Sequence, residues 1–441
     1  MRRQLFQELK AWKSRSSRLP LLIDGARQTG KTYLLTKLFA KEFHRCLHID
    51  FLERPELASA FEGALTPTKV LTNLQLLTGQ PFDPKTDLLI LDEIGECERA
   101  VTSLKYFAEQ MPQAFVVASG SNIGLLNSFP VGKVEHRNLR PLSFHEFLMA
   151  SDQTMLLEAF ETGDRSSVVH DLLMQQLIDY YFTGGMPAAV QAWFSSDELK
   201  ILERTDAVTQ IHADLIAGYQ KDFGKYAGHA NAQLIDAVFT QIPTQLSSVV
   251  DESVKRFRFK GIYPPKSRYT EFENAIIWLH QCRLVLLNYP IEGQPRMPLV
   301  AYRKPAQVKL FLFDVGLLHH MLGATYLQIK QQAYEYKGFV AENFVQQELA
   351  VLGMEPTYAW HEARAEIEFL LTDSLGNIIP VEVKSGSRTR ARSLVSYVER
   401  YQPVKAIKLS ARAGDAKPTM TGKTSLHLPL YDVASLPRVL G

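Results

Sequence analysis

The sequence predicts an α/β fold that opens with a parallel sheet, and three stretches predict it. The apolar run Leu21–Ile23 leads into a loop bounded by Gly25 and Gly30, and a helix-compatible segment, Tyr33–Phe43, follows. Leu88-Leu-Ile-Leu91 ends in Asp92-Glu93, and Phe115-Val-Val-Ala-Ser119 ends in Gly120-Ser121-Asn122. The 88–91 run in particular is continuously apolar, without alternation. That pattern suits parallel strands covered on both faces.

The chain of 441 residues is long enough for about three domains at ~150 residues each. Its 46% hydrophobic and 22% charged composition is that of a globular protein. A net charge of +2 confines any nucleic-acid surface to a local patch. Cys46, Cys97 and Cys282 are scattered and odd in number, which argues against a disulfide framework. The N-terminal Met1–Lys10 reads as a short amphipathic helix without the apolar core of a signal peptide. No apolar run approaches the ~20 residues of a membrane span. A cytoplasmic protein is expected.

Gly25-Ala26-Arg27-Gln28-Thr29-Gly30-Lys31-Thr32 has the spacing of a phosphate-binding loop in a strand–loop–helix context. Glycine lets backbone N–H groups approach phosphate oxygens without a Cβ in the way. The following helix, from Tyr33, turns its positive end toward the same anion. Lys31 is expected on the β- and γ-phosphates, and the Thr32 hydroxyl on Mg²⁺. At the carboxyl end of the 88–91 strand, Asp92 is expected to hold Mg²⁺ and Glu93 to polarise the attacking water. Ser121 or Asn122 ends the neighbouring strand and can sense the γ-phosphate, or simply make a turn. The chain lacks an Asn-Lys-x-Asp element that would read guanine, so ATP is the expected nucleotide.

Val134–Phe144 reads as a fifth strand leaving the sheet. Arg137 and Arg140 are its candidates to reach a phosphate, since a planar guanidinium spreads over several oxygens. His44, Cys46, His48 and Asp50 alternate along one strand and share a face. A zinc site there is conceivable; side chains of an ordinary sheet face are the simpler reading.

Residues 231–325 carry helical patches at 231–242, 246–256 and 271–284. Extended runs at 283–289 and 307–314 follow. Helices followed by a hairpin suggest a winged helix. Lys255-Arg-Phe-Arg-Phe-Lys260, with Lys266 and Arg268 beyond, interleaves basic and aromatic residues. It either grips a nucleic-acid backbone and stacks on bases or forms a solvated face beside core Phe257 and Phe259. Asp314 reads as a structural cap before a helix.

The last segment, 326–441, opens with an amphipathic helix from Lys337 to Leu349. Two strands, 365–371 and 378–384, follow around a turn at 373–377. Glu382 and Lys384 lie two apart on one strand and share a face, with Glu368 returning beside them. Two carboxylates and a lysine are what a metal-dependent phosphodiesterase needs. Lys384, Arg388, Arg390 and Arg392 can track phosphates or solvate a helix start. Leu426–Tyr431 is a last strand candidate.

The motifs Gly-Ala-Arg-Gln-Thr-Gly-Lys-Thr, Leu-Asp-Glu-Ile, Ser-Gly-Ser-Asn, Pro-Leu-Ser-Phe-His-Glu-Phe (141–147) and Gly-Gly-Met-Pro (184–187) occur in this order. Together they resemble a family of bacterial and archaeal AAA-type P-loop ATPases, and the resemblance spans essentially the whole chain. It implies a P-loop ATPase core at 1–150, a helical lid at 151–230, a winged helix at 231–325 and a restriction-endonuclease-like α/β domain at 326–441. It implies an oligomer whose sites are completed by a neighbour's arginine. Gly132-Lys133 stands where the family usually has Gly-Arg, which leaves that arginine unassigned. The Glu368…Glu382-x-Lys384 arrangement is similar to the Asp…Glu-x-Lys site of restriction-type nucleases. In that likeness Glu342 is the helix carboxylate, and Glu342, Glu368 and Glu382 hold Mg²⁺ or Mn²⁺. Glu368 is one methylene longer than the usual Asp. The expectation is therefore an ATPase coupled to a domain that cleaves nucleic acid, DNA favoured, or one that only binds nucleic acid or a protein.

Overall fold

The computed structural model describes residues 1–121, 123–125, 130–195, 200–227, 229–248, 256–331, 337–362, 365–386, 391–414 and 424–441. Two compact units divide the chain. The first comprises Met1–Arg140 with Gln281–Arg283, the second Pro141–His280 with Leu284–Gly441.

In the first unit, α1 (Leu5–Lys13) precedes β1 (Leu21–Asp24). The loop 25–30 then turns into α2 (Lys31–Tyr33), which continues as a π-helical turn over Leu34–Leu38 and a 3₁₀ turn over Phe39–Glu42. β2 (Cys46–Asp50), α3 (Pro67–Thr78), β3 (Leu88–Asp92), α4 (Glu98–Gln110), β4 (Phe115–Gly120) and β5 (Glu135–Asn138) complete it. The five strands form a parallel sheet in the order β2-β3-β4-β1-β5. Alternate residues of the central strands feed two cores. Leu22, Leu89, Leu91, Val116 and Ala118 pack with α3 and α4 residues. Leu21, Ile23, Leu88, Ile90 and Val117 pack with Leu9, Trp12 and Phe39. Burial on both faces is why these strands read as unbroken apolar runs.

The second unit begins with α5 (Phe144–Ala150), α6 (Thr154–Thr162), α7 (Ser167–Thr183), α8 (Pro187–Phe194), α9 (Ile201–Ala227) and α10 (His229–Ser247). α11 (Tyr269–Gln281), β6 (Val285–Glu292), β7 (Lys309–Leu312), α12 (Val315–Met321), α13 (Tyr326–Lys330) and α14 (Lys337–Val351) follow. Then come β8 (Thr357–Glu362), β9 (Ala365–Thr372), β10 (Ile378–Lys384), α15 (Arg392–Tyr401), β11 (Lys405–Ser410) and β12 (Thr424–Pro429). Its sheet has seven strands in the order β12-β11-β10-β9-β8-β6-β7. β6 and β7 pair antiparallel, as a hairpin would, but β6 also pairs in parallel with β8. The hairpin read as a wing therefore forms one edge of the C-terminal sheet. Its residues 285–291 are all buried, which suits an interior strand better than an exposed wing.

Three motifs of the sequence meet inside this unit. Asp314 caps α12 by accepting from the Leu317 N–H at 3.0 Å, and it also accepts from the Gly185 N–H at 2.7 Å. The Leu142 N–H donates to the Gly185 carbonyl at 2.7 Å. A Cβ at Gly184 would stand 2.2 Å from an Asp314 oxygen, and one at Gly185 2.1 Å from the Leu142 carbonyl. Close approach excludes any side chain there, so the Gly-Gly pair is a packing requirement. Ser143 and Glu146 form a reciprocal capping box at the start of α5. Buried Asn343, Gln346 and Gln347 of α14 satisfy the backbone of Leu312, the Thr357 hydroxyl and the Val315 N–H.

Candidate functional site

Residue types and strand order bring the nucleotide-type residues together at the carboxyl ends of β1, β3 and β4. Gly25 is required sterically, because a Cβ there would lie 2.3 Å from the Leu139 carbonyl oxygen. Gln28 and Gly30 take left-handed conformations, at φ 65° and 92°. Glycine adopts this conformation freely, so the strain falls on Gln28, and strain of this kind concentrates at ligand-holding loops. Thr29 closes the loop internally, donating to the Ala26 carbonyl at 2.8 Å. Behind it, buried Arg3 donates to the Thr29 and Arg140 carbonyls.

Lys31 is buried, and its ammonium donates to the Gly25 and Ala26 carbonyls at 2.8 and 3.0 Å. Burial lowers its pKa, while Glu93, Asp24 and Asp92 oppose that shift. The loop thus keeps a desolvated cation in reserve, poised to exchange carbonyls for phosphate oxygens. Thr32 donates to Asp92 Oδ2 at 2.7 Å. Asp92 Oδ1 accepts from Ser119 and from the Glu93 N–H. Burial pushes the Asp92 carboxyl up. The neighbouring His48 imidazole and the Ser119 and Thr32 hydroxyls outweigh it and hold the group below its ordinary value. This hydroxyl–carboxylate pair is an all-oxygen donor set that fits Mg²⁺.

Glu93 stands in a left-handed conformation at φ 48°. Burial raises its pKa, and Lys31 pulls it back. A carboxylate made more basic by desolvation is suited to take a proton from water. Ser121 is buried between Glu93 and Arg27, at 3.4 Å from each. Tyr33 is exposed, and its hydroxyl lies 3.4 Å from the N-terminal amine. Asn122 lies outside the described residues.

Arg137 is placed differently from the expectation. It pairs with Glu8 at 2.9 Å and Glu135 at 3.3 Å. Its guanidinium is thus neutralised by two carboxylates, because residue 137 alternates to the face opposite His136. The residue beside the loop on that strand is His136, 3.8 Å from Asp24. Two participants were not legible in the sequence. Arg283 donates to Asp24 Oδ2 at 2.9 Å, while Asp24 Oδ1 accepts from the Gly25 N–H at 2.8 Å. Arg283 therefore compensates a buried carboxylate at the root of the loop. Ser119, the other, orients Asp92.

In the second unit, α14, β8–β9–β10, α15 and β11 follow one another as helix, antiparallel meander, helix and parallel strand. Lys384 Nζ bonds Glu368 at 3.1 Å and Glu382 at 2.9 Å. Glu368 also accepts from the Val383 N–H, and Glu382 from the Leu394 N–H. Burial pushes the Glu368 carboxyl up to about 7; Lys384 opposes this, and Glu342 and Glu382 add to it. Burial alone would lower Lys384, but the two glutamates hold its ammonium above its ordinary value. Glu342 is held in a buried ion pair with Lys309. Among the described residues, only His48, Asp50 and Asp92 form a group of three potential ligands with donor atoms all within 4.8 Å. Glu342, Glu368 and Glu382 do not. Arg392 starts α15, and Lys255, Arg388 and Arg390 lie outside the described residues. Phe257 and Phe259 are buried and pack edge-to-face against each other, so they are core rings, whereas Arg256, Arg258 and Lys260 are exposed. Among the described residues no helix is long and apolar enough to cross a membrane.

A five-stranded parallel sheet with this loop and this carboxylate pair defines an AAA-type P-loop ATPase-like domain. Comparison with protein families agrees: the family described as an AAA domain matches residues 17–148. Two families described only as domains of unknown function, DUF8612 and DUF4143, match residues 174–328 and 337–431. No curated protein matches. Similar solved structures include PCH-2 of C. elegans, at 13% identity and TM-score 0.29, over 47% of this chain and 67% of that one. A signal-transduction ATPase with a tetratricopeptide sensor from Pyrococcus horikoshii is similar at 13% identity and TM-score 0.26. That match covers 81% of this chain and only 46% of the archaeal one. The Drosophila origin recognition complex (ORC) bound to DNA matches at 13% identity and TM-score 0.23, covering 72% and 84%.

Proposed function

We propose that the first unit hydrolyses ATP. The observation that carries this reading is the Thr32–Asp92 hydrogen bond beside a buried Lys31 and a desolvated Glu93. Thr32 and Asp92 would hold Mg²⁺, which neutralises charge on the phosphate oxygens. Lys31 leaves the Gly25 and Ala26 carbonyls to bond the β- and γ-phosphates. Glu93 accepts a proton from the attacking water, and Ser121 orients that water. The products are ADP and phosphate. Tyr33 flanks the loop as the first residue after it. As in its relatives by resemblance, the chain acts as an oligomer in the cytoplasm.

The second unit is proposed to be a restriction-nuclease-type domain acting on nucleic acid, DNA favoured. The helix–meander–helix–strand order and the Glu368–Glu382–Lys384 cluster support it. In a live site the metal would sit on Glu368 and Glu382, and Lys384 would orient the water. A specific observation favours a second reading, in which the domain binds without cutting. Lys384 occupies both glutamates, and Lys309 occupies Glu342. Incubation of the full chain with plasmid and oligonucleotides, with Mg²⁺ or Mn²⁺ and with or without ATP, separates the two. Metal-dependent cleavage supports the nuclease, and retention of nucleic acid without cleavage supports the binding domain.

A further inference from the structure

We infer that the first unit carries a mixed nitrogen–oxygen site for a first-row transition metal ion, built from His48, Asp50 and Asp92. One donor atom from each of the three lies within 4.8 Å of the others. The sheet register creates the cluster: Asp50 pairs with Asp92 across β2 and β3, and His48 precedes Asp50 by two residues on the same face. His44 and Cys46 do not join it. His44 lies 3.4 Å from Asp87 instead.

His48 Nε2 is shielded from solvent, and among the described residues it has no acceptor at good hydrogen-bonding distance. It stands 3.5 Å from Asp92 Oδ2. That is too long for a good hydrogen bond. It is close to the ~3 Å that separates neighbouring ligands around an ion with ~2.1 Å bonds. The carboxylates are presented in a matching way. Asp92 spends Oδ1 on Ser119 and the Glu93 N–H, leaving Oδ2 toward Thr32 and His48. Among the described residues the side-chain hydrogen bonds of Asp50, accepted from the Leu52 and Glu53 N–H groups, use Oδ1 alone.

Imidazole is a poor ligand for Mg²⁺ and a good one for Mn²⁺, Co²⁺, Ni²⁺ and Zn²⁺. The site therefore selects a transition ion and shares Asp92 with the Mg²⁺ position. Such an ion competes with Mg²⁺ there. Only that competition rests on the ATPase reading; metal binding itself does not.

The test is a titration of the nucleotide-free, untagged full chain with Co²⁺, followed by calorimetry and visible absorption. A Glu382→Ala background breaks up the C-terminal carboxylate pair for the titration. The expected result is one equivalent bound with weak d–d bands and no thiolate charge-transfer band. His48→Ala and Asp50→Asn should each weaken binding about tenfold or more, and Cys46→Ser should leave it unchanged. His48→Gln, checked for folding by circular dichroism, covers the case in which His48→Ala fails to fold. Absence of binding, a thiolate band, or equal affinity in the folded His48 and Asp50 variants would overturn the assignment.

Discussion

Glu348 of α14 offers a test of how the second unit is held together. The side chain is 3% exposed, and one carboxylate oxygen accepts from the Phe144 N–H at 3.0 Å. Burial raises its pKa from 4.5 to about 8; the Phe144 N–H opposes the rise and Glu146 adds to it. The folded protein therefore holds one more proton here than the unfolded chain does between those two values. Stability is full below the unfolded pKa, falls as pH rises through this window, and levels off above the folded pKa. A shift of this size is worth at most roughly 5 kcal/mol. Glu348→Gln keeps an oxygen for the Phe144 N–H and removes the ionisation. Denaturant unfolding of both proteins from about pH 5 to about pH 9 is the assay. Asp179, Asp314 and Glu368 are also raised and give both proteins the same underlying slope, so the difference between them isolates Glu348. The difference should be near zero at the acid end and should favour the glutamine variant by a few kcal/mol at the alkaline end. A difference that stays constant across the range would show that Glu348 does not titrate in this window.

Three further outcomes are expected. Gly25→Ala forces the loop away from the Leu139 carbonyl, so ATP affinity measured by calorimetry should fall about tenfold or more while the melting temperature changes little. Changing Lys255, Arg256, Arg258 and Lys260 together to Ala should flatten the salt dependence of nucleic-acid binding by roughly one counterion per lost phosphate contact. An unchanged slope would make the cluster a solvated face. Glu382→Ala and Lys384→Ala should each abolish metal-dependent cleavage and spare ATP hydrolysis, with Mn²⁺ outperforming Mg²⁺ because Glu368 distorts the geometry that Mg²⁺ demands; gel assays and phosphate release read the two activities.

Local chemistry was legible in the sequence, and non-local pairing was not. The loop 25–32 announces itself because its glycines, lysine and threonine are fixed by backbone geometry within eight consecutive residues. Asp92 is visible as the first charge after four buried apolar residues. The shared face of Glu382 and Lys384 follows from strand alternation, and the turn at 373–377 predicts Glu368 beside them. By contrast, the partner of His48 depends on which strand lies next to β2. Arg137 needed the identity of the opposite face, where Glu8 waits. Arg283 and Asp24 are joined across most of the chain, with no periodicity to reveal them. The parallel pairing of β6 with β8 likewise depends on a crossover that the hairpin signal around β6 and β7 does not encode. The buried polar face of α14 reads as an exposed one until its partners in α12, β7 and α5 are known.

The proposed hydrolysis turns on Glu93 as the base, with Lys31 on the phosphates and Thr32 on Mg²⁺. Single-turnover hydrolysis by Glu93→Gln, with ATP binding measured on the same protein, tests it most directly. The variant should bind Mg²⁺·ATP with parental affinity and leave it uncleaved, whereas Lys31→Ala should lose both binding and turnover. Parental turnover by Glu93→Gln would show that Glu93 is not the base.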